Sequence, residues 1–430
     1  MNIRLFRQFD TTDGLLPLWS LPLVYAVTSF IAGVVLPRLE HAYVQHLTIG
    51  VSVDSTIAFL TSVSSSIMSL TGLVFAIAFL VVQFSAVAYS PRLVVMFAND
   101  PKIYHTLGIF FSTFTYSLAT LLWTNRSGSG QVPLLSSLLV GLLLFVSIVS
   151  FALMVRRVSD MQIQAVLTVV GQRGREVIAE MYRTLVPGTP VRPAGKALPP
   201  PSQTIVYRGP PRAITRFDNA RLFDLAREAN ATIVLDSAVG DTLLIDTVVM
   251  RVHGGQAPID EYALMACVQR GEARTYEQDP KYALRLLVDI AIRALSPAVN
   301  DPTTAVQALD QIEDLLRRLS QADFEVGEHY DASGTLRVFV PLPSWEDFLS
   351  LAFDEIRQYG MGSVQVQRRL RAALAGLADV AATEERRQAA HAYALRLGVR
   401  GAHEDLDEID RAGTQQEDRQ GLGMPRKRVG

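Results

Sequence analysis

Residues 55–91 contain no Asp, Glu, Lys, Arg or His, and this uncharged stretch limits what the chain can fold into. About 20 consecutive apolar residues are enough for a helix to cross a bilayer. In lipid a spanning segment must satisfy its own backbone hydrogen bonds, so the stretch is predicted to be a transmembrane helix. We call it span two.

A second pattern within span two places small residues at alternating steps of three and four, which puts them on one face of a helix. Only two members of the set are large, and the set is Ser55, Ala58, Ser62, Ser65, Ser69, Gly72, Ala76, Phe79, Gln83, Ala86 and Ser90. We call this set the small face.

Two interpretations of the small face remain open. Small residues let neighbouring helices approach closely, with hydroxyls bonding across the contact. Alternatively, the hydroxyls line a hydrated path that Phe79 narrows and Gln83 follows. The residues concerned in either case are Ser62, Ser65, Ser69, Gly72, Phe79 and Gln83. Both interpretations hold together if several copies pack these helices around one axis.

Four segments meet the criterion for a membrane-spanning helix. They cover residues 13–38, 55–91, 105–126 and 132–155. Short flanks rich in Lys and Arg favour the cytoplasmic side. On one side these flanks hold Arg4, Arg7, Arg92, Lys102, Arg156 and Arg157, and on the other only Arg38 and Arg126. We therefore predict a helical transmembrane domain in a bacterial inner membrane, with both termini in the cytoplasm.

After residue 157 the pattern changes to that of a cytoplasmic α+β region. The predicted divisions are the transmembrane domain at 1–157, an amphipathic connecting helix at 158–186, a proline-rich linker at 187–212, a small β-rich module at 213–256, a mainly helical domain at 257–400 and a polar, disordered tail at 401–430. Within the helical domain we predict helices, some paired as hairpins, at 258–269, 280–295, 302–319, 345–359, 362–379 and 383–397, and one strand at 336–341.

The β-rich module contains the phrase AVGDTLLIDT, which resembles the small barrels of lipoyl or biotinyl carriers. The lysine that such carriers modify is missing, because no Lys occurs between residues 197 and 280. We therefore predict a small barrel used for packing or docking.

Two polar phrases in the helical domain are candidate ligand or subunit contacts. They centre on Gln278 and Asp279, followed by Pro280, and on Asn300 and Asp301, followed by a second proline. Asp at the N-cap with Pro in the first turn is also what a helix start requires, and capping is the simpler interpretation. Because the two helices form a hairpin, the aspartates lie roughly 20 Å apart and cannot share one metal ion.

Composition excludes several classes of function. A net charge of -2 gives no electrostatic basis for binding nucleic acid. The single cysteine, Cys267, excludes an internal disulfide framework and cysteine-based zinc clusters. The sequence has no Gly-rich phosphate loop, HExxH, GxSxG or kinase motif. We therefore expect no catalytic residues, no bound metal and no cofactor.

Three phrases, AYSPRLVVMF, RTYEQDPKYALRLLVDIAIRALSPAVNDPTTAVQALDQI and WEDFLSLAFDEIRQYG, are similar to those of a bacterial membrane-protein family, domain of unknown function 2254. The resemblance extends from the first span to about residue 380, with SPAVNDPTTA as its most specific part. It implies an integral inner-membrane protein with a cytoplasmic C-terminal region. It implies no activity, catalytic residue or cofactor.

The favoured hypothesis from sequence is a homo-oligomeric pore or solute pathway in the lipid bilayer, lined by span two and assembled or gated by the cytoplasmic region. The rival hypothesis is a membrane-anchored sensor or scaffold whose cytoplasmic domain binds a protein or a small ligand. A small face buried without a cavity, together with exposed apolar patches on the soluble helices, would favour the rival.

Overall fold

The computed structural model describes residues 18–43, 52–88, 101–127, 132–159, 163–185, 198–397, 414–415 and 418. It divides into two compact units, residues 1–162 and residues 163–430. We call them the N-terminal unit and the C-terminal unit and describe each by itself.

The described part of the N-terminal unit consists of helices α1 (Leu21–Tyr43), α2 (Val53–Ala88), α3 (Pro101–Ser127) and α4 (Leu134–Ser159), with a short 3-10 turn before α1. All four are long and apolar enough to cross a membrane. The four predicted spans are therefore confirmed as apolar helices. The first begins later than predicted and continues through Pro37 to Tyr43. Three of the six basic residues behind the predicted orientation, Arg4, Arg7 and Arg92, lie outside the described residues.

Helix α3 is the centre of this unit and packs against α1, α2 and α4. Of the 18 residues in its most apolar stretch, 56% are buried, compared with 11% of the corresponding stretch in α1 and 17% in α4. Close approach to α1 depends on Gly33, where an added Cβ would lie 2.8 Å from the Cβ of Ala119 and 2.9 Å from the carbonyl oxygen of Tyr116. The outer helices are thus arranged around α3 rather than around span two.

The helical part of the C-terminal unit follows the predicted pattern closely. Its helices are α5 (Ile163–Met181), α6 (Asn219–Glu228), α7 (Glu261–Ala266), α8 (Pro280–Ala294), α9 (Pro302–Leu319), α10 (Trp345–Tyr359), α11 (Val364–Val380) and α12 (Glu384–Arg396). The helices at 302–319 and 345–359 match their predicted bounds, because strong N-caps fix their starts. Predicted helix 258–269 is too long at both ends, because the observed helix covers Glu261–Ala266 and a strand begins at Val268.

The strands form two open sheets. They are β1 (Pro201–Val206), β2 (Arg212–Phe217), β3 (Ala231–Leu235), β4 (Thr242–Leu243), β5 (Val248–Gly254), β6 (Val268–Gly271), β7 (Glu328–Tyr330) and β8 (Leu336–Phe339). One sheet has the order β1-β5-β3-β8-β7 and the other β4-β2-β6.

The predicted small barrel is not confirmed by this topology. Strand β3 pairs antiparallel with β5 on one side and parallel with β8 on the other. Strand β8 comes from about 100 residues further along the chain, so the sheet extends outward into that segment instead of closing on itself. Strand β1 lies inside the predicted linker, at a sheet edge where its proline is tolerated.

Part of the predicted disordered tail is in contact with α11. Thr414 and Asp418 are buried. The Nε of Arg371 donates to the carbonyl oxygen of Thr414 at 2.7 Å, and the amide of Asp418 lies 3.4 Å from the carbonyl oxygen of Arg368. These contacts, which composition alone does not signal, hold the two positions against α11.

Candidate functional site

The small face of α2 points away from the rest of the N-terminal unit. Ser62, Ser65, Ser69, Gly72 and Gln83 are exposed. Phe79 is also exposed, over 66% of its surface. Among the described residues, none lies within 4 Å of a Cβ added at Gly72. Ser90 lies outside the described residues.

The packed side of α2 is the opposite one. Its buried apolar residues are Leu60, Val63, Ile67 and Val74, which are offset from the small face by about half a turn. The hydroxyl of Ser64, on this packed side, lies 2.7 Å from the hydroxyl of Ser117 on α3. Close packing along the small face, as sequence analysis allowed, therefore requires a partner other than the described helices of the same chain.

The small face extends far enough to cross the hydrocarbon core. Twenty-one steps separate Ser62 from Gln83, which corresponds to about 30 Å of α-helix and to the thickness of that core. Along it lie hydroxyls, the open position at Gly72, one aromatic ring and one carboxamide. The hydroxyl of Ser69 donates to the carbonyl oxygen of Ser65 at 3.0 Å.

A second set of hydroxyls, which sequence analysis missed, lies inside the N-terminal unit on α3. Its buried members on one side of the helix are Thr106, Thr113, Ser117, Thr120 and Thr124. The hydroxyl of Thr113 lies 2.9 Å from that of Ser147 and donates to the carbonyl oxygen of Leu143 at 3.3 Å, both on α4. Steps of seven, four, three and four residues were the available signal. Thr113 and Ser117 join α3 to neighbouring helices, whereas Thr120 and Thr124 bond to carbonyl oxygens of α3 itself.

An unexpected carboxylate also joins two helices. Glu40 on α1 accepts from the amides of Leu135 and Ser136 at 2.6 and 3.0 Å and from the Ser136 hydroxyl at 2.8 Å. These amides belong to the first turn of α4, whose donors have no partner within their own helix. Glu40 therefore caps α4 from another helix and holds the end of α1 that follows Pro37.

In the C-terminal unit, Asp279 is the N-cap of α8 and accepts from the amide of Tyr282 at 3.1 Å. Its side chain is 1% exposed and receives charged hydrogen bonds from Arg274, at 2.9 Å from Nε and at 2.7 and 3.0 Å from Nη2. Burial raises the pKa of the Asp279 carboxyl, and the Arg274 guanidinium opposes that rise. Asp279 thus starts α8 and anchors the preceding loop.

Gln278 holds the start of α8 against β2. Its backbone has a positive φ of 50°, which is unusual for a residue with a long side chain. The side-chain amide accepts from the amide of Phe217 at 3.0 Å and donates to the carbonyl oxygen of Phe217 at 3.1 Å. This pair of bonds fixes the unusual backbone conformation.

Asn300 and Asp301 play the corresponding parts at α9. Asn300 has a φ of 49°. Asp301 is the N-cap and accepts from the amide of Thr304 at 3.1 Å and from its hydroxyl at 2.6 Å. Because α8 and α9 pack together across a short connection, the two caps are separated by the length of α8, about 22 Å. The structure does not bring the two phrases into one site.

Two tyrosine hydroxyls of the C-terminal unit are buried without a hydrogen-bond partner among the described residues, and they belong to Tyr182 and Tyr276. Burial raises the pKa of both phenols. Across the described ranges, no group of three or more His, Cys, Asp or Glu side chains is arranged to hold a metal ion.

Comparison with known proteins agrees with the four apolar helices. A family model described as predicted membrane protein (DUF2254) matches residues 17–376. Uncharacterized proteins of Mycobacterium bovis and Mycobacterium tuberculosis are 28% identical over 361 residues, which cover 81% of this chain and 69% of each relative. No solved structure matches the chain. Because the family model matches well over half of the sequence, the chain belongs to this family of predicted membrane proteins.

Proposed function

We propose that the protein forms a homo-oligomer in a bacterial inner membrane, with the small faces of several α2 helices around a hydrated path for ions or small solutes. One observation carries this proposal: the small, hydroxyl-rich face of α2 is exposed, directly opposite the face that packs against the rest of the unit.

The chemistry of the exposed face supports a partner other than lipid. Polar side chains in a membrane are costly against hydrocarbon and usually face another helix or a wet cavity. The hydroxyl of Ser69 is satisfied by its own helix, but the carboxamide of Gln83 has two donors and an acceptor oxygen to satisfy. A second copy of α2, or water inside an assembly of copies, supplies those partners.

The order of residues along the face suits a gated path. Ser62, Ser65 and Ser69 supply neutral hydroxyls that tolerate water, whereas the exposed ring of Phe79 supplies a hydrophobic constriction of the kind that gates by dewetting. The face carries no charged side chain, so the path selects by width and hydrogen bonding rather than by a ring of charges.

The C-terminal unit has an assembling or gating role in this proposal. The Lys and Arg distribution favours its location in the cytoplasm. The exposed apolar side chains on helices of the C-terminal unit give little support to the rival role of sensor or scaffold. Three of them, Tyr262, Tyr359 and Leu395, lie on three different helices. Single exposed apolar residues are ordinary. Binding of a cytoplasmic protein or small ligand stays a prediction.

The test is release of ions and small solutes from liposomes that contain the purified full chain. Ser65→Leu and Ser69→Leu place bulk on the small face, whereas Ser66→Leu places the same bulk on an exposed serine outside the set. We expect the wild type and Ser66→Leu to release solute and the two small-face variants to lose most of that release. A silent wild type, or equal loss in all three variants, would contradict the proposal.

A further inference from the structure

A groove of about 470 Å³ lies between α2 and α4 near the start of both helices. Its lining includes Thr56 and Phe59 from α2 and Ser137, Leu138, Gly141 and Leu142 from α4. Its volume falls in the range of small-molecule sites, about 300–1,000 Å³. Of the lining residues only Ser55 belongs also to the small face, and the groove contains none of Ser62, Ser65, Ser69, Phe79 and Gln83.

The hydroxyls around the groove already have hydrogen-bond partners within the protein. The hydroxyl of Thr56 donates to the carbonyl oxygen of Ser52 at 3.2 Å, and that of Ser137 donates to the carbonyl oxygen of Pro133 at 2.8 Å. Each bond runs back to the residue that precedes the helix, and the Ser55 hydroxyl lies 2.7 Å from that of Ser52. The surface that remains for a ligand is therefore apolar.

The groove is open to its surroundings. Leu138 and Leu142 are 63% and 57% exposed along one wall, and Phe59 on the other wall is 37% exposed. The depth comes from Gly141, where an added Cβ would lie 4.0 Å from Cζ of Phe59. A larger residue at position 141 would fill the space without a clash against the backbone.

We propose that this groove binds one acyl chain of a bilayer phospholipid. Both walls belong to helices long and apolar enough to cross a membrane, so the medium at the mouth of the groove is hydrocarbon. Between helices in lipid the gain comes from packing rather than from the hydrophobic effect. An unfilled groove would forfeit van der Waals contacts on both walls, and a flexible methylene chain restores them.

The experiment uses the full chain in nanodiscs made from a phospholipid with a photoreactive diazirine in its acyl chain. After irradiation, adducts are mapped to peptides by mass spectrometry. We expect adducts on residues 55–59 and 134–142 to be several-fold more frequent than on the exposed face of α1, around Leu23 and Ile31. Equal frequencies would overturn the proposal.

Variants at the groove make the test specific. Gly141→Leu fills the groove and is expected to remove the excess adducts, whereas Gly141→Ala, with room for its methyl group, is expected to keep them. Ala152→Leu is the matched control, because Ala152 is exposed on the same helix three turns further on, outside the groove. If Gly141→Leu does not fold, Ser137→Leu adds bulk to the same wall. If the excess adducts persist in a variant that folds and whose groove is filled, the proposal is contradicted.

Discussion

Two neighbouring helices of the N-terminal unit carry similar numbers of hydroxyls and use them in opposite ways. On α3 the hydroxyls are buried, and several bond to other helices, as Ser117 does with Ser64 and Thr113 with Ser147. On α2 the hydroxyls of the small face are exposed, and Ser69 bonds only within its own helix in the described structure.

This difference separates two roles that composition alone confounds. Hydroxyls that bond between helices of one chain stabilise its fold and are unavailable to other molecules. Hydroxyls on an outward face contribute little to that fold, so a helix rich in them suits contact with another copy or with water. The following predictions compare changes at groups that pack or bond inside the chain with changes at groups that do not. We expect the first kind to lower stability more than the second.

The largest effect is expected at the close contact between α1 and α3. Gly33→Leu forces a side chain into the space occupied by Ala119 and the Tyr116 carbonyl. Overpacking of this kind costs about 3 kcal/mol or more against backbone that cannot move aside. We expect a lower unfolding free energy, or loss of folded protein, by denaturant titration in detergent.

Gly72→Leu is the matched control for that variant, because position 72 has open space among the described residues. It should fold as the wild type does while altering solute release. A Gly72→Leu variant as unstable as Gly33→Leu would show that the small face already packs within the chain.

The C-terminal unit offers the same contrast in two buried tyrosines. The hydroxyl of Tyr207 donates to the carbonyl oxygen of Pro210 at 2.6 Å, whereas that of Tyr182 has no partner among the described residues. Tyr182→Phe removes a buried group that gains nothing from folding, and we expect it to raise the unfolding free energy by about 1 kcal/mol. Tyr207→Phe should lower it by about the same amount. If Tyr182→Phe destabilises the protein, that hydroxyl has a partner, such as a buried water.

A smaller effect is expected for the hydroxyls between α3 and α4. Thr113→Val keeps the shape of the side chain and removes its bonds to Leu143 and Ser147. Such bonds average about 0.6 kcal/mol in membrane helices and reach about 1.7, so we expect a loss in that range by the same titration. Ser65→Ala on the small face should leave stability unchanged. A larger loss for Ser65→Ala than for Thr113→Val would reverse the comparison.

The smallest effect is a pH dependence from His329 on β7, whose Nε2 is buried without a partner among the described residues. Burial lowers the pKa of His329 below its ordinary value of 6.5. The unfolded chain therefore takes up this proton first as pH falls. Neutral His329 therefore contributes to the free energy of unfolding above pH 6.5, and this contribution is lost as pH falls from 6.5 through the pKa of the folded state.

We expect the melting temperature of the full chain to fall between about pH 7 and pH 5, and His329→Gln to flatten part of that slope. His391→Gln, at an exposed position on α12, is the control. An unchanged slope in His329→Gln would show that other groups set the pH dependence.

Local rules account for what the sequence predicted well. Asp followed by Pro defines the starts of α8 and α9, because the cap and the first turn depend on adjacent residues. The four membrane helices are likewise predictable, because the length of an apolar run depends only on contiguous residues.

Long-range contacts account for what the sequence did not predict. The pairing of β3 with β8 joins residues about 100 positions apart, so the predicted small barrel is not confirmed. The cap of α4 by Glu40 joins residues on two helices. For the small face, the pattern identified the residues that share a side of α2, but the direction of that side depends on where α3 packs.

Contact between the small faces of neighbouring copies is tested most directly by cross-linking in membranes. Single cysteines replace Ser65, Ser69 or Gly72 on the small face, and Met68 or Phe75 on exposed positions outside it, in a Cys267→Ala background. A short bifunctional thiol reagent is then added. We expect cross-linked dimers from the three small-face cysteines and few from the other two. No dimers from the small face, or equal yields at all five positions, would contradict it.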